Sequence, residues 1–315
     1  MTTIRIPQSL IPGLKKPLSR LLLGNDHKQE PDAGFALWDH FYAQGGNGFD
    51  TAYNYDMGAP ECLLGEWMEK RALREKIVVL DKGGRKPPYH PDGVPDPETI
   101  TSQLLESLQR LRTDYVDIYM LHRDNPKLPV GAMVDVLNEH YRAKRIRVIG
   151  VSNWKDERIR EANEYARRKG LQGFTAISNQ FSLARMVTPI WVGCESSSSP
   201  ESRRWLAQTQ LTLIPWSSQA RAFFLRANRN DTSDAWMVKG FYCDDNFQRF
   251  ERVQKMAKEK GISPLNLSLA YVLNQPFPTF PLIGPLTPQE IDGCLPALEI
   301  KLTPAEIAWL NLETA

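Results

Sequence analysis

The stretch YVDIYMLHRDNPKLPVGAMVDVLNEHYRAKRIRVIGVSN, residues 115–153, indicates the fold of the whole chain. Its two ends, 115–122 and 148–153, are short runs of apolar and β-branched residues with the length of buried strands. Between them, residues 130–145 repeat apolar side chains at the spacing of one helix face. A strand, a helix and a second strand in this order form a βαβ unit, which pairs its two strands in parallel.

Similar short runs recur along the chain and alternate with longer amphipathic segments. We count eight of them, at residues 19–24, 48–50, 77–82, 115–122, 148–153, 175–180, 211–216 and 279–284. Eight parallel strands that alternate with helices favour a closed barrel. We therefore expect an α/β fold, a (β/α)8 TIM barrel, that takes residues 1–315 as a single domain, although the length alone would also permit two domains.

Four segments have the amphipathic pattern of helices in the outer layer of such a barrel. They are residues 98–112, 130–145, 156–168 and 247–260, and Gly170 and Gly261 are expected to end the last two. Two other stretches, 83–97 and 217–245, interrupt the alternation, and each follows a predicted strand. Because loops after barrel strands lie on the catalytic face, we expect both stretches to shape a substrate pocket rather than to link domains.

The composition excludes several functional classes. Hydrophobic residues make up 42% of the chain and charged residues 24%, as in an ordinary soluble globular protein. The formal net charge of +2 gives no electrostatic reason to expect a nucleic acid or an anionic membrane as partner. No apolar run has the length of a membrane helix, and the N-terminal sequence MTTIRIPQSL lacks an apolar signal segment. The expected location is therefore the cytoplasm.

The cysteines give no indication of a disulfide framework or a metal site. Cys62, Cys194, Cys243 and Cys294 are single and widely separated. The chain contains no C-x-x-C pair, and no His lies at metal-ligand spacing from a cysteine. We therefore expect free thiols and no bound metal.

Polar residues stand at the ends of three predicted strands, where a barrel gathers its catalytic groups. They are Asp50, Lys82 and His122, and Tyr55 follows Asp50 by five residues. Reduction of a carbonyl group by hydride needs a proton donor for the developing alkoxide, and a phenol is a weak donor unless its neighbours adjust its pKa. An ammonium group at Lys82 would favour the phenolate of Tyr55 and so lower its pKa, while Asp50 would keep that ammonium charged. His122 would hydrogen-bond the carbonyl oxygen and fix its position.

Each of these residues also has an ordinary structural explanation. Asp50 could cap the following helix, Tyr55 could pack within a loop, and Lys82 could be a surface cation. The catalytic interpretation depends on their arrival together at successive strand ends.

Together these motifs resemble the aldo-keto reductase family. GFDTAYNY carries Asp50 and Tyr55, ECLLGEWM is similar to the start of the family's next helix, DKGG carries Lys82 and YMLHRD carries His122. The resemblance spans nearly the whole chain and fills all four positions of the family's catalytic tetrad. It implies the same barrel and an NAD(P)H-dependent oxidoreductase that interconverts an aldehyde or ketone and an alcohol by hydride transfer, with Tyr55 as general acid and base.

The same resemblance implies where the cofactor, NADPH or NADH, would bind. Ser152, Asn153 and Gln180 in GVSNW and SNQFS would bind the nicotinamide carboxamide. Trp216 would stack on the nicotinamide ring, because a flat face orients the ring so that one hydride faces the substrate. The positions assigned to the phosphates and the adenosine are Ser217 and Gln219 in PWSSQARAFF, and Gly284, Thr287 and Glu290 in PLIGPLTPQEIDGC.

The phosphate-binding loop and the adenosine segment both depart from the family's pattern, and in the loop Ser218 and Gln219 replace its Pro-Leu. Ala222 replaces a Gly, Leu286 a basic residue, Glu290 a Gln or Arg, and Cys294 an Asn. Thr287 is then the remaining ligand of that set for a 2′-phosphate. Because a dianionic phosphate favours Arg or Lys and a carboxylate suits a ribose hydroxyl, we expect weak discrimination in favour of NADPH, unless Arg221 or Arg226 reaches the phosphate.

The substrate is the least determined part of the prediction. Candidate pocket residues are Tyr89, His90, Arg123, Trp154, Trp191 and the loop 217–245. Arg123 and Asp124 would either contact a polyhydroxylated or acidic substrate or form a surface ion pair. The sequence favours a sugar-like or small polar carbonyl compound, and it leaves the oligomeric state open.

Two alternative functions remain open. One is a nicotinamide-binding regulatory or redox-sensing subunit with little turnover, like the potassium-channel β subunits of the same family. The other is a different barrel enzyme with a phosphate site, for which no Gly-rich loop stands in the usual late position.

Overall fold

The computed structural model describes residues 4–26, 29–85 and 94–314, in which short strands alternate with helices. The strands are β1 Gln8–Ser9, β2 Leu18–Ser19, β3 Leu22–Gly24, β4 Gly48–Asp50, β5 Val78–Gly83, β6 Val116–Leu121, β7 Ile146–Ser152, β8 Ala176–Ser178, β9 Thr212–Leu213 and β10 Leu282–Ile283. β1 and β2 form an antiparallel pair. The other eight form a parallel sheet of order β10-β3-β4-β5-β6-β7-β8-β9, and each contains part of one run predicted from the sequence.

The two edges of this sheet meet. Leu213 in β9 forms a parallel bridge with Thr279, just before β10, and its N–H donates to the carbonyl of Pro278 at 2.9 Å. The eight strands therefore close into the expected (β/α)8 barrel. β9 and β10 are shorter than the predicted runs because Pro215 and Pro281 have no N–H to donate to the ladder.

Helices cover the outside of the barrel. They are α1 Pro31–Ala43, α2 Ala59–Arg71, α3 Pro97–Arg110, α4 Val130–Arg142, α5 Asp156–Lys169, α6 Pro200–Thr209, α7 Phe223–Arg226, α8 Ala235–Phe241, α9 Asp244–Lys260, α10 Pro264–Leu273, α11 Pro288–Cys294 and α12 Pro304–Leu310. Short 3-10 turns lie at Tyr55–Gly58, Ala220–Ala222 and Leu295–Leu298. Six of these helices begin with Pro, whose missing N–H would have no partner in the first turn in any case.

The four predicted helices correspond to α3, α4, α5 and α9, with ends that differ by up to three residues. Gly170 and Gly261 end α5 and α9 in the left-handed conformation, each at φ 65°, as predicted. The predicted loop 217–245 contains the short helices α7 and α8.

Alternate side chains of the barrel strands face two different cores. The interior of the barrel is filled by a core that includes Leu22, Val78, Leu80, Ile118, Met120 and Val148. The layer between strands and helices includes Phe49, Val79, Tyr119, Leu121 and Ile149. By this alternation Lys82 of β5 points into the barrel, whereas Asp81 points outward toward the helices.

The β1–β2 hairpin closes the amino-terminal end of the barrel. Ile11 and Leu14, between these strands, belong to the interior core and are 4% and 8% exposed. The turn at Gly13 lies against Arg147 and Val148, near the start of β7. The carboxyl ends of the strands are thus at the face opposite this hairpin.

Within the described ranges, the helices are too short or too polar to cross a bilayer. The same part of the chain contains no group of three or more His, Cys, Asp or Glu side chains that could hold a metal ion. All four cysteines are free, as expected from their spacing.

Candidate active site

The segment GFDTAYNY leaves strand β4 and folds back over the carboxyl ends of the barrel strands. Asp50 is the last residue of β4. The Tyr53 N–H then donates to the carbonyl of Lys82 at 2.8 Å, and the Tyr55 N–H donates to the carbonyl of Ala52 at 3.0 Å. This turn places the side chain of Tyr55 beside the end of β5.

Asp50, Lys82 and Tyr55 meet at this point. The Lys82 Nζ lies 2.5 Å from the Asp50 Oδ1, 3.1 Å from the carbonyl oxygen of Thr51 and 3.3 Å from the Tyr55 hydroxyl. Lys82 is 2% exposed, so it is not a surface cation, and the Asp50 carboxylate pairs with it rather than capping a helix.

The ammonium of Lys82 is held in its charged form. Burial alone would lower the pKa of Lys82, but the carboxylate of Asp50 and the hydroxyl of Tyr55 outweigh burial, and the pKa is raised above its ordinary value. A fixed positive charge therefore lies beside the phenol of Tyr55 at neutral pH.

Tyr55 itself keeps its proton. Burial raises the pKa of Tyr55 to about 12, and the attraction of Lys82 for the phenolate, which acts downward as expected, is the smaller effect. The expected lowering by Lys82 is present, but the burial of the phenol, which the sequence does not reveal, outweighs it. At neutral pH the residue is a phenol that has a cation beside it.

His122 follows β6 and faces Tyr55 edge-on, with ring centroids 5.6 Å apart. Burial lowers the pKa of His122 well below its ordinary value, and the positive charges of Arg123 and Lys82 lower it further. The imidazole is therefore neutral and carries one N–H.

The nitrogen of His122 that carries this proton depends on how the imidazole hydrogen-bonds with Asn54. The His122 Nδ1 lies 2.7 Å from the amide oxygen position of Asn54. If Nδ1–H donates to this oxygen, Nε2 is an acceptor; if the Asn54 amide is turned so that its NH₂ donates to Nδ1, Nε2–H becomes a donor. Only the second arrangement gives His122 a hydrogen bond to donate to a carbonyl oxygen.

The residues predicted to bind the nicotinamide lie together at the ends of β7, β8 and β9. The Asn153 Nδ2 donates to the Ser152 Oγ at 3.0 Å, and the Trp216 Nε1 donates to the Asn153 Oδ1 at 3.1 Å. Asn153 is held at φ 59°, a left-handed conformation that Asn tolerates better than most residues. The half-buried indole of Trp216 is thereby fixed beside the Ser152–Asn153 pair.

Gln180 is fully buried beside this group, and its backbone pairs with that of Trp216. Its Nε2 donates to the Ser182 Oγ at 2.7 Å, and its Oε1 accepts from the Ser196 Oγ at 2.9 Å. The side chain is therefore oriented by two serines that the sequence analysis did not assign.

The predicted phosphate-binding loop adopts an unusual backbone conformation. Ser217, Ala220, Arg221 and Ala222 all have positive φ, between 47° and 61°. Glycine adopts this region without steric cost, whereas each L-residue there costs about 1 kcal/mol. Ala222 thus takes a left-handed conformation at the position where the family has Gly.

This loop packs against the predicted adenosine segment. The Ser218 Oγ donates to the carbonyl of Leu282 at 2.6 Å, and the Gln219 Nε2 lies 3.6 Å from the Cys294 Sγ. Gly284 is exposed, and a Cβ built on it would have no neighbour within 4 Å. The backbone at Gly284 is therefore open to a ligand.

Thr287 and Glu290 cap the start of α11. The Thr287 Oγ1 accepts from the Glu290 N–H at 3.3 Å, and the Glu290 Oε2 accepts from the Leu286 N–H at 2.6 Å. Arg221 and Arg226, the two cations that could have reached a 2′-phosphate, both pair with Asp234.

The predicted pocket residues have different outcomes. The prediction that Trp154 lines the pocket is wrong. Trp154 is fully buried, and its ring packs against Phe174 in the outer core, with ring centroids 5.4 Å apart. Trp191 is 44% exposed, and its ring lies 5.7 Å from Trp216 and 6.0 Å from Trp236. Tyr89 and His90 lie outside the described residues.

Arg123 and Asp124 do not form an ion pair with each other. Asp124 accepts two hydrogen bonds from Arg158, at 3.0 and 3.2 Å. Arg123 is buried rather than at the surface, and its Nη1 donates to the carbonyl of His122.

Sequence reasoning missed Asn54 as a partner of His122. A signal was present, since Asn54 lies within the same GFDTAYNY motif as Asp50 and Tyr55. Whether its side chain faces His122 depends on the turn after β4, which the residue order does not specify.

Comparison with known proteins identifies the family. Residues 22–311 match the model of the Aldo/keto reductase family. The chain is 26% identical to norsolorinic acid reductase B of Aspergillus parasiticus over 88% of this chain and 73% of that protein. It is 25% identical to a probable aryl-alcohol dehydrogenase of Saccharomyces cerevisiae, over 92% of this chain and 89% of that one. The chain therefore belongs to the aldo/keto reductase family and is an NAD(P)H-dependent oxidoreductase that acts on carbonyl and alcohol groups.

Proposed function

We propose that the protein reduces an aldehyde or ketone to the alcohol, or catalyses the reverse, with Tyr55 as general acid and base. The observation that carries this proposal is the Tyr55 hydroxyl, 3.3 Å from the Lys82 Nζ, which Asp50 holds in turn at 2.5 Å. Carbonyl reduction places negative charge on the oxygen, and a phenol within reach neutralises that charge by giving up its proton. The Lys82 ammonium then stabilises the phenolate that is left.

Tyr55 is a better acid for this step than His122. Because the pKa of His122 is lowered well below its ordinary value, the imidazole carries no second proton at neutral pH. Tyr55, with a pKa of about 12, carries its proton throughout the neutral range. His122 is left to orient the carbonyl oxygen, with Asn54 against its Nδ1.

The residues present fit the nicotinamide end of the cofactor. A carboxamide has one acceptor oxygen and two N–H donors, and Ser152, Asn153 and Gln180 provide hydroxyl and amide groups for both. The buried Ser178 Oγ at the end of β8 has no hydrogen-bond partner within the described residues and adds a further polar group. When bound, NADPH or NADH supplies the hydride, and Trp216 provides a flat surface for the ring.

The phosphate and adenosine end fits less well. Ser217, Gln219 and the open backbone at Gly284 remain available to the phosphates. Thr287 and Glu290 are already engaged in capping α11, and Arg221 and Arg226 both pair with Asp234. This arrangement supports the expectation that NADPH and NADH are both accepted.

The pocket favours a flat, aromatic substrate over the sugar-like compound suggested by the sequence. Trp216, Trp191 and Trp236 form a continuous aromatic surface that runs from the predicted nicotinamide position to the exterior. The name of one relative, a probable aryl-alcohol dehydrogenase, supports the same choice. A panel of benzaldehydes, aryl ketones and aldoses, each assayed by loss of NADPH absorbance, distinguishes the two substrate classes.

The proton-donor role is tested by Tyr55→Phe, with Tyr53→Phe as the matched control. Tyr53 lies in the same motif, but its hydroxyl donates to Glu106 at 2.9 Å and faces away from Lys82. We expect Tyr55→Phe to lower kcat by at least about a hundredfold while the dissociation constant of NADPH, measured by tryptophan fluorescence, stays within threefold. Tyr53→Phe should keep kcat within about threefold.

Near-full activity of Tyr55→Phe would refute the assignment of the acid. A wild-type protein that binds NADPH but turns over none of the panel would instead favour the regulatory or redox-sensing subunit.

A further inference from the structure

Arg123, directly after His122, is a buried cation without an acidic partner. Its side chain is 9% exposed. Its Nη1 donates to the carbonyl of His122 at 2.7 Å, its Nη2 lies 3.7 Å from the Cys194 Sγ, and its Nε has no acceptor within the described residues. No carboxylate of this part of the chain forms an ion pair with it.

The neighbouring groups that could neutralise Arg123 are occupied or uncharged. Asp124 is held by Arg158 through two hydrogen bonds, and Asp50 is held by Lys82. Burial raises the pKa of Cys194, so its side chain is a neutral thiol at neutral pH. A full positive charge is therefore left beside His122, and an unpaired buried charge is costly in a folded protein.

One edge of the guanidinium has no strong acceptor within the described residues. Its Nε is unpaired and its Nη2 faces only sulfur, a weak acceptor. These two N–H groups form the side-on fork that binds a carboxylate through two parallel hydrogen bonds. Gly193 lies along this edge, and a Cβ built on it would be 3.5 Å from the Nε.

We propose that Arg123 binds a carboxylate carried by the substrate, so that the protein acts on carbonyl compounds that are also acids. This inference rests on the proposed function, since it places the acidic group in the same site as the reacting carbonyl. A substrate carboxylate would supply the counter-charge that the Arg123 guanidinium lacks. A neutral substrate would leave this guanidinium buried and unpaired in the complex.

The first test compares 4-formylbenzoate with its methyl ester, which differ in the carboxylate but share the aldehyde and the ring. We expect the wild type to prefer the acid in kcat/KM. Arg123→Met should lower kcat/KM for the acid by at least about tenfold and leave the ester within threefold, because the lost interaction is a charge-assisted hydrogen bond. Arg123→Lys should retain part of the preference.

Arg71→Met is the control, since Arg71 is an arginine of the outer helix layer that pairs with Asp39, so its removal frees no carboxylate next to Arg123. Its ratio of acid to ester activity should equal that of the wild type. If Arg123→Met lowers the acid and the ester equally, Arg123 has only a structural role and the proposal is overturned. An Arg123→Met variant that reduces both substrates as fast as the wild type overturns the proposal as well.

A second test needs no turnover and no substitution of Arg123. Benzoate should bind to the wild type in the presence of NADPH and to Tyr55→Phe, with an affinity that falls as salt is added, while benzamide should bind at least about tenfold more weakly. Equal binding of benzoate and benzamide overturns the role of Arg123. A protein that binds benzoate but reduces no aldehyde would instead contradict the proposed reductase function.

Discussion

Replacing Asp81 with Asn should stabilise the protein at neutral and higher pH. Asp81 is an outward-facing residue of β5 that is fully buried, and neither of its carboxyl oxygens has a hydrogen-bond partner of normal geometry within the described residues. Beside it lies Glu61, also fully buried, whose Oε2 is 2.7 Å from the Arg110 Nη1. Two carboxyl groups can form a hydrogen bond with each other only when one carries a proton, so we expect Asp81 to be protonated.

The sign of the pH dependence follows from this. Burial raises the pKa of Asp81 well above its ordinary value, and the charge of Glu61 raises it further. Above the unfolded-state pKa of about 4, the native state therefore binds one more proton than the unfolded chain. The contribution of Asp81 to stability is fully present at low pH and is lost as the pH rises toward the native pKa.

The size of the effect is set by one proton. The free energy of unfolding of the wild type falls by about 1.4 kcal/mol for each pH unit over which Asp81 is protonated in the native protein and ionised in the unfolded chain. Between pH 5 and pH 7 the free energy of unfolding of Asp81→Asn, relative to the wild type, should thus rise by up to about 2.7 kcal/mol. The amide has the shape of the protonated acid and can donate to Glu61, so little packing is lost.

Urea unfolding at pH 5, 6, 7 and 8, followed by tryptophan fluorescence, measures this difference. Asp117→Asn is the control with the opposite sign. Asp117 is also buried and lies on the neighbouring strand β6, but its carboxylate is 2.7 Å from the Lys16 Nζ and 2.9 Å from the Arg74 Nη1. Its neutralisation should destabilise the protein by about 2 kcal/mol, less than for a fully buried pair because both cations are partly exposed.

A constant difference between Asp81→Asn and the wild type from pH 5 to pH 8 would refute this reasoning. It would show that Asp81 is ionised in the native protein and that an unrecognised donor holds it.

Two further predictions concern the site. Asn54→Ala should lower kcat/KM for the aldehyde about tenfold and leave NADPH binding unchanged. The reason is that His122 loses the partner that fixes its ring and its tautomer. Unchanged kinetics would show that Asn54 has no such role. In the wild type, the ratio of kcat/KM for NADPH to that for NADH should be below about one hundred, an effect of roughly 3 kcal/mol. Leu286→Arg should increase this ratio by supplying the missing phosphate ligand. A wild-type ratio above that limit would contradict the interpretation of Thr287 and Glu290.

The barrel and the positions of Asp50, Lys82 and His122 could be predicted because they depend on short-range patterns. Parallel strands place their carboxyl ends on one face, so a polar residue that ends each apolar run reaches that face whatever the loops do. Tyr55 was predictable only through its motif, since a turn rather than a strand positions it.

Other features depend on contacts between residues far apart in the chain. Asp124 pairs with Arg158, which lies 34 residues later in the chain. It therefore does not pair with Arg123, its neighbour in the sequence. Trp154 follows the last residues of a strand, and whether it enters the pocket or the outer core depends on the path of the chain after β7. The rise in the pKa of Tyr55 reflects burial by side chains from several elements, which the residue order does not give.

The hairpin under the barrel has a kinetic consequence. Because Ile11 and Leu14 pack against the interior core at the amino-terminal end, ligands reach the site from the opposite rim, which carries Tyr55 and His122. A cofactor whose nicotinamide contacts Asn153 and a substrate whose carbonyl contacts Tyr55 would then share this entrance. Two molecules that share one entrance pass through it one after the other, so the closed end of the barrel favours a mechanism in which binding and release are ordered.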